Sequence, residues 1–349
     1  MGKLAKVFVG PSNTAGVASQ ISNALRIVGI EADGYTYSYH PFNYGNLKKI
    51  PLFKKGKLTF FNKFLRYIYL LYFIIKYKTF IFISPKTIVK NNKDLIILKL
   101  LRKKIAFIFP GCTERDPFFQ RENPKYVCNR CNDIQKQKIC LCLESEKKRK
   151  RVKYFEKYAD IIFSQDDCAN FLNRPFEWFF ITCEPMEKNR DEILKKYRAN
   201  SYKIYHIPSN RKLKGTNTVE KVFVNLKSKY PKMDFKIIEN KPNKEILELL
   251  ENCHIIIDQF TGGHGVLAVE AMSRGCNVIG YIDEWFRNKR PDLPVVSSKE
   301  EELEKTLVKL IENKNFLYEN GKKSIEYYEK HHAPEAVGEY YKQILKLKT

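Results

Sequence analysis

The sequence predicts an α/β protein of two domains, each a parallel sheet flanked by helices. Three observations carry this. Short apolar runs recur, with no polar alternation: the stretches around Val7–Gly10, Thr79–Ile83, Lys104–Phe109 and His254–Asp258. Strands buried on both faces of a parallel sheet read this way. Helical stretches alternate with these runs along the chain, the order of an α/β sheet. Turns of small residues, Gly10–Gly16 and Thr261–Gly265, join strand to helix. At 349 residues the chain can bury two cores, one per Rossmann-like domain. The first is placed at 1–185 and the second at 200–332, with a terminal helix in 333–349.

Composition bounds the function. A hydrophobic content of 44% with 13% aromatic residues excludes general disorder. The net charge of +24 points to an anionic partner: a phosphorylated ligand, an acidic membrane surface or nucleic acid. Met1–Lys6 leads straight into a strand without a signal-peptide pattern, so a cytoplasmic protein is expected. Nine cysteines then read as thiols or metal ligands rather than disulfides.

Taken in order, Lys6–Gly10 is a strand, and Val17–Val28 a helix after the small-residue loop. Asn13, Thr14, Ala15 and Gly16 in that loop are candidates to face a ligand; the alternative is a plain βα turn. The run Tyr67–Ile75, YIYLLYFII, lies between Lys63, Arg66, Lys76 and Lys78. Its nine residues fall short of the roughly 20 needed to span a bilayer as a helix. Residues 60–83 therefore suit either an interfacial helix on acidic lipid, at the inner face of the membrane, or a core helix followed by the strand Thr79–Ile83.

Lys104–Phe109 is a buried strand ending at Pro110-Gly111. Glu114 and Arg115 lie just beyond its carboxyl end, where ligands of open α/β sheets collect. Glu114 is thus a candidate catalytic group and Arg115 a candidate binding group. Cys128-x2-Cys131 and Cys140-x-Cys142 follow, with Cys112 as an alternative ligand. Thiolates at such spacing can grip one tetrahedral ion, so a structural Zn2+ in a Cys-rich insertion, 111–144, is expected. An iron–sulfur cluster or free thiols are the alternatives. The basic run Lys147–Arg151 opens a helix reaching Tyr158. A basic run beside a metal knot keeps a nucleic-acid reading open, but the α/β pattern around it is no known nucleic-acid module. Asp160–Ser164 is a strand, and the charged stretch Glu187–Lys203 reads as a connector.

The second domain opens with the strand Lys203–Pro208, a basic turn (Arg211, Lys212, Lys214, Gly215) and a helix from Val219. Asp234–Glu239 is a strand, and Asn243–Asn252 a helix with Asn243 as its N-cap. Then comes the most informative stretch: strand His254–Asp258, glycine turn, helix Val266–Arg274, Gly275, strand Asn277–Ile282. Glycines beside a helix start let an anion approach unpaired amides. Glu270, further along that helix, suits ribose hydroxyls better than phosphate. Helices at Lys299–Glu312 and Asn315–Tyr328 complete the domain.

This stretch resembles the donor site of retaining group 1 glycosyltransferases of the GT-B fold. That family carries Glu-x7-Glu followed by Ala-Met-x-x-Gly-x-x-Val-Ile. Glu270-Ala271-Met272, Gly275 and Val278-Ile279 match the second half, whereas Gly262 stands at the first Glu. The resemblance implies two Rossmann-like domains with a deep interdomain cleft, and a terminal helix packing back on the first domain. It implies that Glu270 holds the donor ribose, and that Arg211, Lys212 and Lys214-Gly215 supply cations to the donor diphosphate. The sugar contact usual at position 262 would fall to Asp258-Gln259 or to the backbone of Gly263 and His264, beside Gly265. The implied activity is sugar transfer from a nucleotide sugar to a glycan or lipid-linked acceptor in cell-surface polysaccharide assembly. Arg211 and Lys214 would support the leaving diphosphate, with no catalytic metal required. A nucleotide-sugar epimerase on the same fold, or a zinc-containing nucleic-acid binder, are the alternatives.

Overall fold

The computed structural model describes residues 6–38, 45, 47–53, 60–111, 145–165 and 172–348. They fall into two compact units: one built from residues up to 111, 145–182 and 334–348, the other from Cys183–Ala333.

The first unit is a seven-stranded sheet in the order β3-β2-β1-β4-β5-β6-β7. Its strands are β1 (Val7–Gly10), β2 (Ala32–Thr36), β3 (Lys48–Lys49), β4 (Thr79–Ile83), β5 (Lys104–Phe109), β6 (Ile161–Ser164) and β7 (Glu177–Trp178). Every pairing is parallel. The central strands are apolar because both their faces are covered. On one face Phe8, Phe80, Phe82, Phe107 and Phe109 form a ladder of aromatic rings. It packs against Phe73 of the helix Asn62–Lys76 and Phe155 of the helix Ser145–Tyr158, the latter stacked on Phe107 at 4.3 Å. The other face is covered by the helices Val17–Ile27 and Pro334–Ile344. Tyr341 stacks on Phe163 there at 4.3 Å. These two helices come so close that a Cβ at Gly338 would lie 2.3 Å from the carbonyl oxygen of Ala24.

The second unit is a five-stranded parallel sheet in the order β12-β11-β10-β8-β9. Its strands are β8 (Lys203–His206), β9 (Asp234–Ile237), β10 (Ile255–Ile257), β11 (Asn277–Gly280) and β12 (Val296–Ser297). The stretch Glu187–Lys203 is more than a connector. Arg190–Leu194 is a helix with a capping box between Asn189 and Glu192. Ile193, Leu194 and Tyr197 are buried in this unit's core. The stretch is rich in charge because only one side of it faces inward.

The cysteines expected to hold a metal in the insertion (Cys112, Cys128, Cys131, Cys140, Cys142) lie outside the described residues, as do Glu114 and Arg115. Among the described residues, Cys183, Cys253 and Cys276 are buried free thiols, and no cluster of His, Cys, Asp or Glu is placed to hold a metal ion.

Candidate functional site

Strands β8 and β10 are direct neighbours, with His206 opposite Ile257. Their carboxyl ends therefore release two loops side by side, the position where parallel sheets place ligands. Lys214 from the first loop donates to Asp258 Oδ1 from the second at 2.7 Å. The pair is enclosed, with the lysine side chain 13% exposed and the aspartate 2%. The other oxygen, Oδ2, accepts the Gly265 amide at 2.9 Å. Burial alone would push the Asp258 carboxyl up. The Lys214 ammonium and the Gly265 amide outweigh it and hold the carboxyl below its usual range. A buried carboxylate thus fixes a buried cation and the end of the glycine turn together.

Glu270 stands on the next helix, Val266–Met272, and is 3% exposed. Asn243 Nδ2 donates to its Oε1 at 2.7 Å. Asn243 is not the N-cap expected from the sequence: Pro242 holds that position, and Asn243 is the first helical residue. Its amide is therefore free to reach Glu270. Burial drives the Glu270 carboxyl up to about 7, with Asn243, Arg274 and Lys214 acting against it. Arg274 is itself buried, donating to Ser273 Oγ at 2.6 Å and to the Glu184 carbonyl at 3.3 Å.

The turn between β10 and this helix explains the departure at position 262. Gly262 has φ +92°, in the left-handed region that a glutamate rarely adopts. A Cβ there would also lie 2.9 Å from Asp283 Oδ2. The carboxylate beside this backbone thus comes from Asp283, whose Oδ1 caps the helix Glu284–Lys289 by accepting from Phe286 N at 2.7 Å. Gln259 braces the turn by donating to the Gly263 carbonyl at 3.0 Å. His264 is buried, its ring edge-on to Phe286 at 5.4 Å.

The expected cations separate. Lys214 joins the cluster, but Arg211 pairs with Glu239 at 2.6 Å and with Glu220. Lys212 is exposed, and Gly215 precedes the helix Thr216–Lys229. Under the loop, His206 is fully buried between the Ile257 carbonyl and Thr216 Oγ1, each 2.9 Å from a ring nitrogen. A carbonyl only accepts, so Nδ1 carries the proton and Nε2 accepts from Thr216. Burial lowers the imidazole to about 4, so it stays neutral.

In the first unit, Asn13 turns inward on its own chain. Its Oδ1 accepts from the amides of Ala18 at 3.0 Å and Ser19 at 3.4 Å, satisfying the helix start that a ligand would otherwise use. Thr14, Ala15 and Gly16 form a single 3-10 turn, with Gly16 buried.

Within the second unit the sequence candidates Lys214, Gln259, Gly262, Gly263, Gly265 and Glu270 come together. Asp283, Asn243 and Arg274 belong with them and were not predicted as site residues. A fixed ammonium, a glycine turn and a buried carboxylate suited to hydroxyl groups can grip a phosphorylated sugar-containing ligand.

No family model matches the chain, and no curated protein matches it. Solved structures do. The chain is similar to HepE from Anabaena in complex with UDP-glucose, with 10% identity over 98% of this chain and 99% of that one, at a TM-score of 0.62. It is also similar to the UDP-GlcNAc 2-epimerase from Neisseria meningitidis bound to UDP-GlcNAc (12% identity, 98% of each chain, TM-score 0.56). A glycosyltransferase from Rickettsia africae gives 12% identity over 99% of this chain and 100% of that chain, at a TM-score of 0.55. At these identities the likeness shows the fold: the chain has the GT-B fold, which glycosyltransferases and these epimerases share.

Proposed function

Starting from that fold, we propose that the chain is a glycosyltransferase that moves a sugar from a nucleoside diphosphate to an acceptor hydroxyl, with retention, in cell-surface polysaccharide or glycoconjugate assembly. The observation that carries this reading is the buried Lys214–Asp258 pair seated beside Glu270 at the carboxyl ends of β8 and β10. A diphosphate leaving group gains negative charge in the transition state, and a cation already held in place stabilises that charge more than it stabilises the ground state. Lys214 takes this role. Arg211, committed to Glu220 and Glu239, is a supporting charge rather than a direct ligand. Glu270 accepts from ribose hydroxyls, and Asp283 offers the carboxylate that position 262 cannot carry.

The structural neighbours supply the first ligands to try, since HepE is described with UDP-glucose and the Neisseria epimerase with UDP-GlcNAc. The test is a thermal-shift panel of UDP, GDP, CDP and ADP, with UDP-glucose and UDP-GlcNAc added. One base should raise the melting temperature, since a ligand at about 100 times Kd adds about 2.7 kcal/mol. Lys214→Ala would strand Asp258 as a buried lone charge and unfold the site. The double variant Lys214→Ala/Asp258→Asn removes both charges and should fold, yet lose the diphosphate shift. No shift with any nucleotide sinks the reading. Interconversion of UDP-GlcNAc with its epimer, with no acceptor present, would move the assignment to an epimerase.

A further inference from the structure

The helix Asn62–Lys76 has two unlike faces. Leu70 and Phe73 are buried in the first unit's core. Phe61, Phe64, Ile68, Leu71 and Ile75 recur every three or four residues on the outer face. They are open to solvent, with Phe64 65%, Leu71 61% and Ile75 79% exposed, and Phe60 just before the helix at 82%. Among the described residues the inner face fills the core and the outer stripe stays open to solvent. Leu100 and Leu101 add to it. Leu100 ends the helix Asp94–Leu100 and Leu101 caps it, and two residues on Lys103 donates to the carbonyls of Ile74 and Tyr77 at the end of the Asn62–Lys76 helix.

The start of the same helix walls a cavity of about 960 Å³ at the carboxyl end of β4. Six cations line it: Lys63, Arg66, Lys86, Lys90, Lys93 and Arg151; among the described residues no carboxylate does. Its other wall, the 85–93 loop, is held in shape. Asp94, fully buried, accepts from Thr87 Oγ1 at 2.6 Å and from the Ile88 amide at 2.8 Å. Arg66 donates to the Ile88 carbonyl at 2.9 Å and stacks on Tyr37 at 4.0 Å.

We propose that the first unit docks on an anionic bilayer, its outer helix face lying in the lipid surface and the basic cavity beside it taking a lipid phosphate. Charge selects this occupant. The helix carries no acidic residue, and of its cations Lys76 is paired with Asp33 at 2.8 Å, so a second copy would oppose Lys63 and Arg66 to their own equivalents. A nucleic acid would use the cations and leave the apolar stripe in water. A bilayer uses both, because basic side chains reach the phosphates while the apolar residues between them sink below. The helix's 15 residues fall short of the roughly 20 that span a membrane, so it lies on the surface.

This proposal does not rest on the donor reading, and its test contains no nucleotide. The full chain is co-sedimented with phosphatidylcholine vesicles with and without phosphatidylglycerol, at about 0.1 M and about 0.5 M salt. Wild type should prefer the anionic vesicles at least about tenfold, less so at high salt. Phe64→Ser/Ile75→Ser removes exposed side chains, leaves melting unchanged, and should weaken binding about tenfold or more. Lys86→Ala/Lys90→Ala should weaken it about fivefold per cation. The control pair Lys227→Ala/Lys309→Ala, exposed on the second unit, removes the same charge and should change little. Equal loss in the control pair would reduce the cavity to general charge and overturn it as a site. Undiminished binding by the serine variant, or a lipid-free dimer that this variant dissociates, would overturn the membrane face.

Discussion

Glu270 is a carboxyl that the fold keeps near its titration point. Its value of about 7, raised from the ordinary 4.5 by burial, carries a stability cost. The folded state holds the proton more tightly than the unfolded one, so the cost is complete above about pH 7 and disappears as pH falls toward 4.5. Glu270→Gln retains the acceptor for Asn243 and never ionises. We expect it to melt higher than wild type near pH 8, with the gap closing toward about pH 5, and to bind the donor nucleotide about tenfold more weakly. A gap independent of pH would mean that Glu270 is not the titrating group. Sequence alone places Glu270 as a candidate because strand, glycine turn and helix are local patterns, and the resemblance adds Lys214. Their partners are not local. Asn243 precedes Glu270 by a strand and a loop, and nothing near Arg211 announces that Glu220 and Glu239 will neutralise it.

At the scale of elements, β4 and β5 are readable to the residue, since TFIFI and KIAFIF are continuous apolar runs. Helix starts are less so: composition favours Asn243 as a cap, but backbone geometry gives that place to Pro242. The exposed face of the Asn62–Lys76 helix is ambiguous in sequence because an apolar run does not say which side the core will use. The contact between the helices Val17–Ile27 and Pro334–Ile344 depends on the missing side chain of Gly338. Gly338→Ala improves helix propensity by about 1 kcal/mol but drives a methyl into the Ala24 carbonyl. Overpacking of this kind costs about 1–3 kcal/mol, so net destabilisation is expected, read as a lower urea midpoint. A midpoint equal to or above wild type would show that the helices part without cost.

For the molecule as a whole, acid should unfold the second unit. His206 and His254 are both lowered to about 4 by burial. An unfolded histidine takes its proton near 6.5, so each contributes stability that is lost as pH falls from about 6.5 to about 4. Glu270 works in the opposite sense over an overlapping window, and two groups outweigh one. Urea midpoints should therefore drop between about pH 7.5 and pH 5, and His206→Gln should flatten the slope. A slope unchanged by that substitution would clear His206 of the effect. The two parallel sheets were readable from periodicity, whereas the return of the Pro334–Ile344 helix to the first unit has no mark in its own residues and came only from the resemblance. That return separates the order of synthesis from the order of completion. The first unit's sheet leaves the ribosome early, but the helix that covers Phe163 and seats Gly338 against Ala24 is made after the entire second unit. Until then the nascent first unit has the helix Val17–Ile27 on that face but leaves Phe163 uncovered, so a translation product that stops just before Pro334 would hold a finished second unit and an unfinished first one, ready for chaperones or proteases.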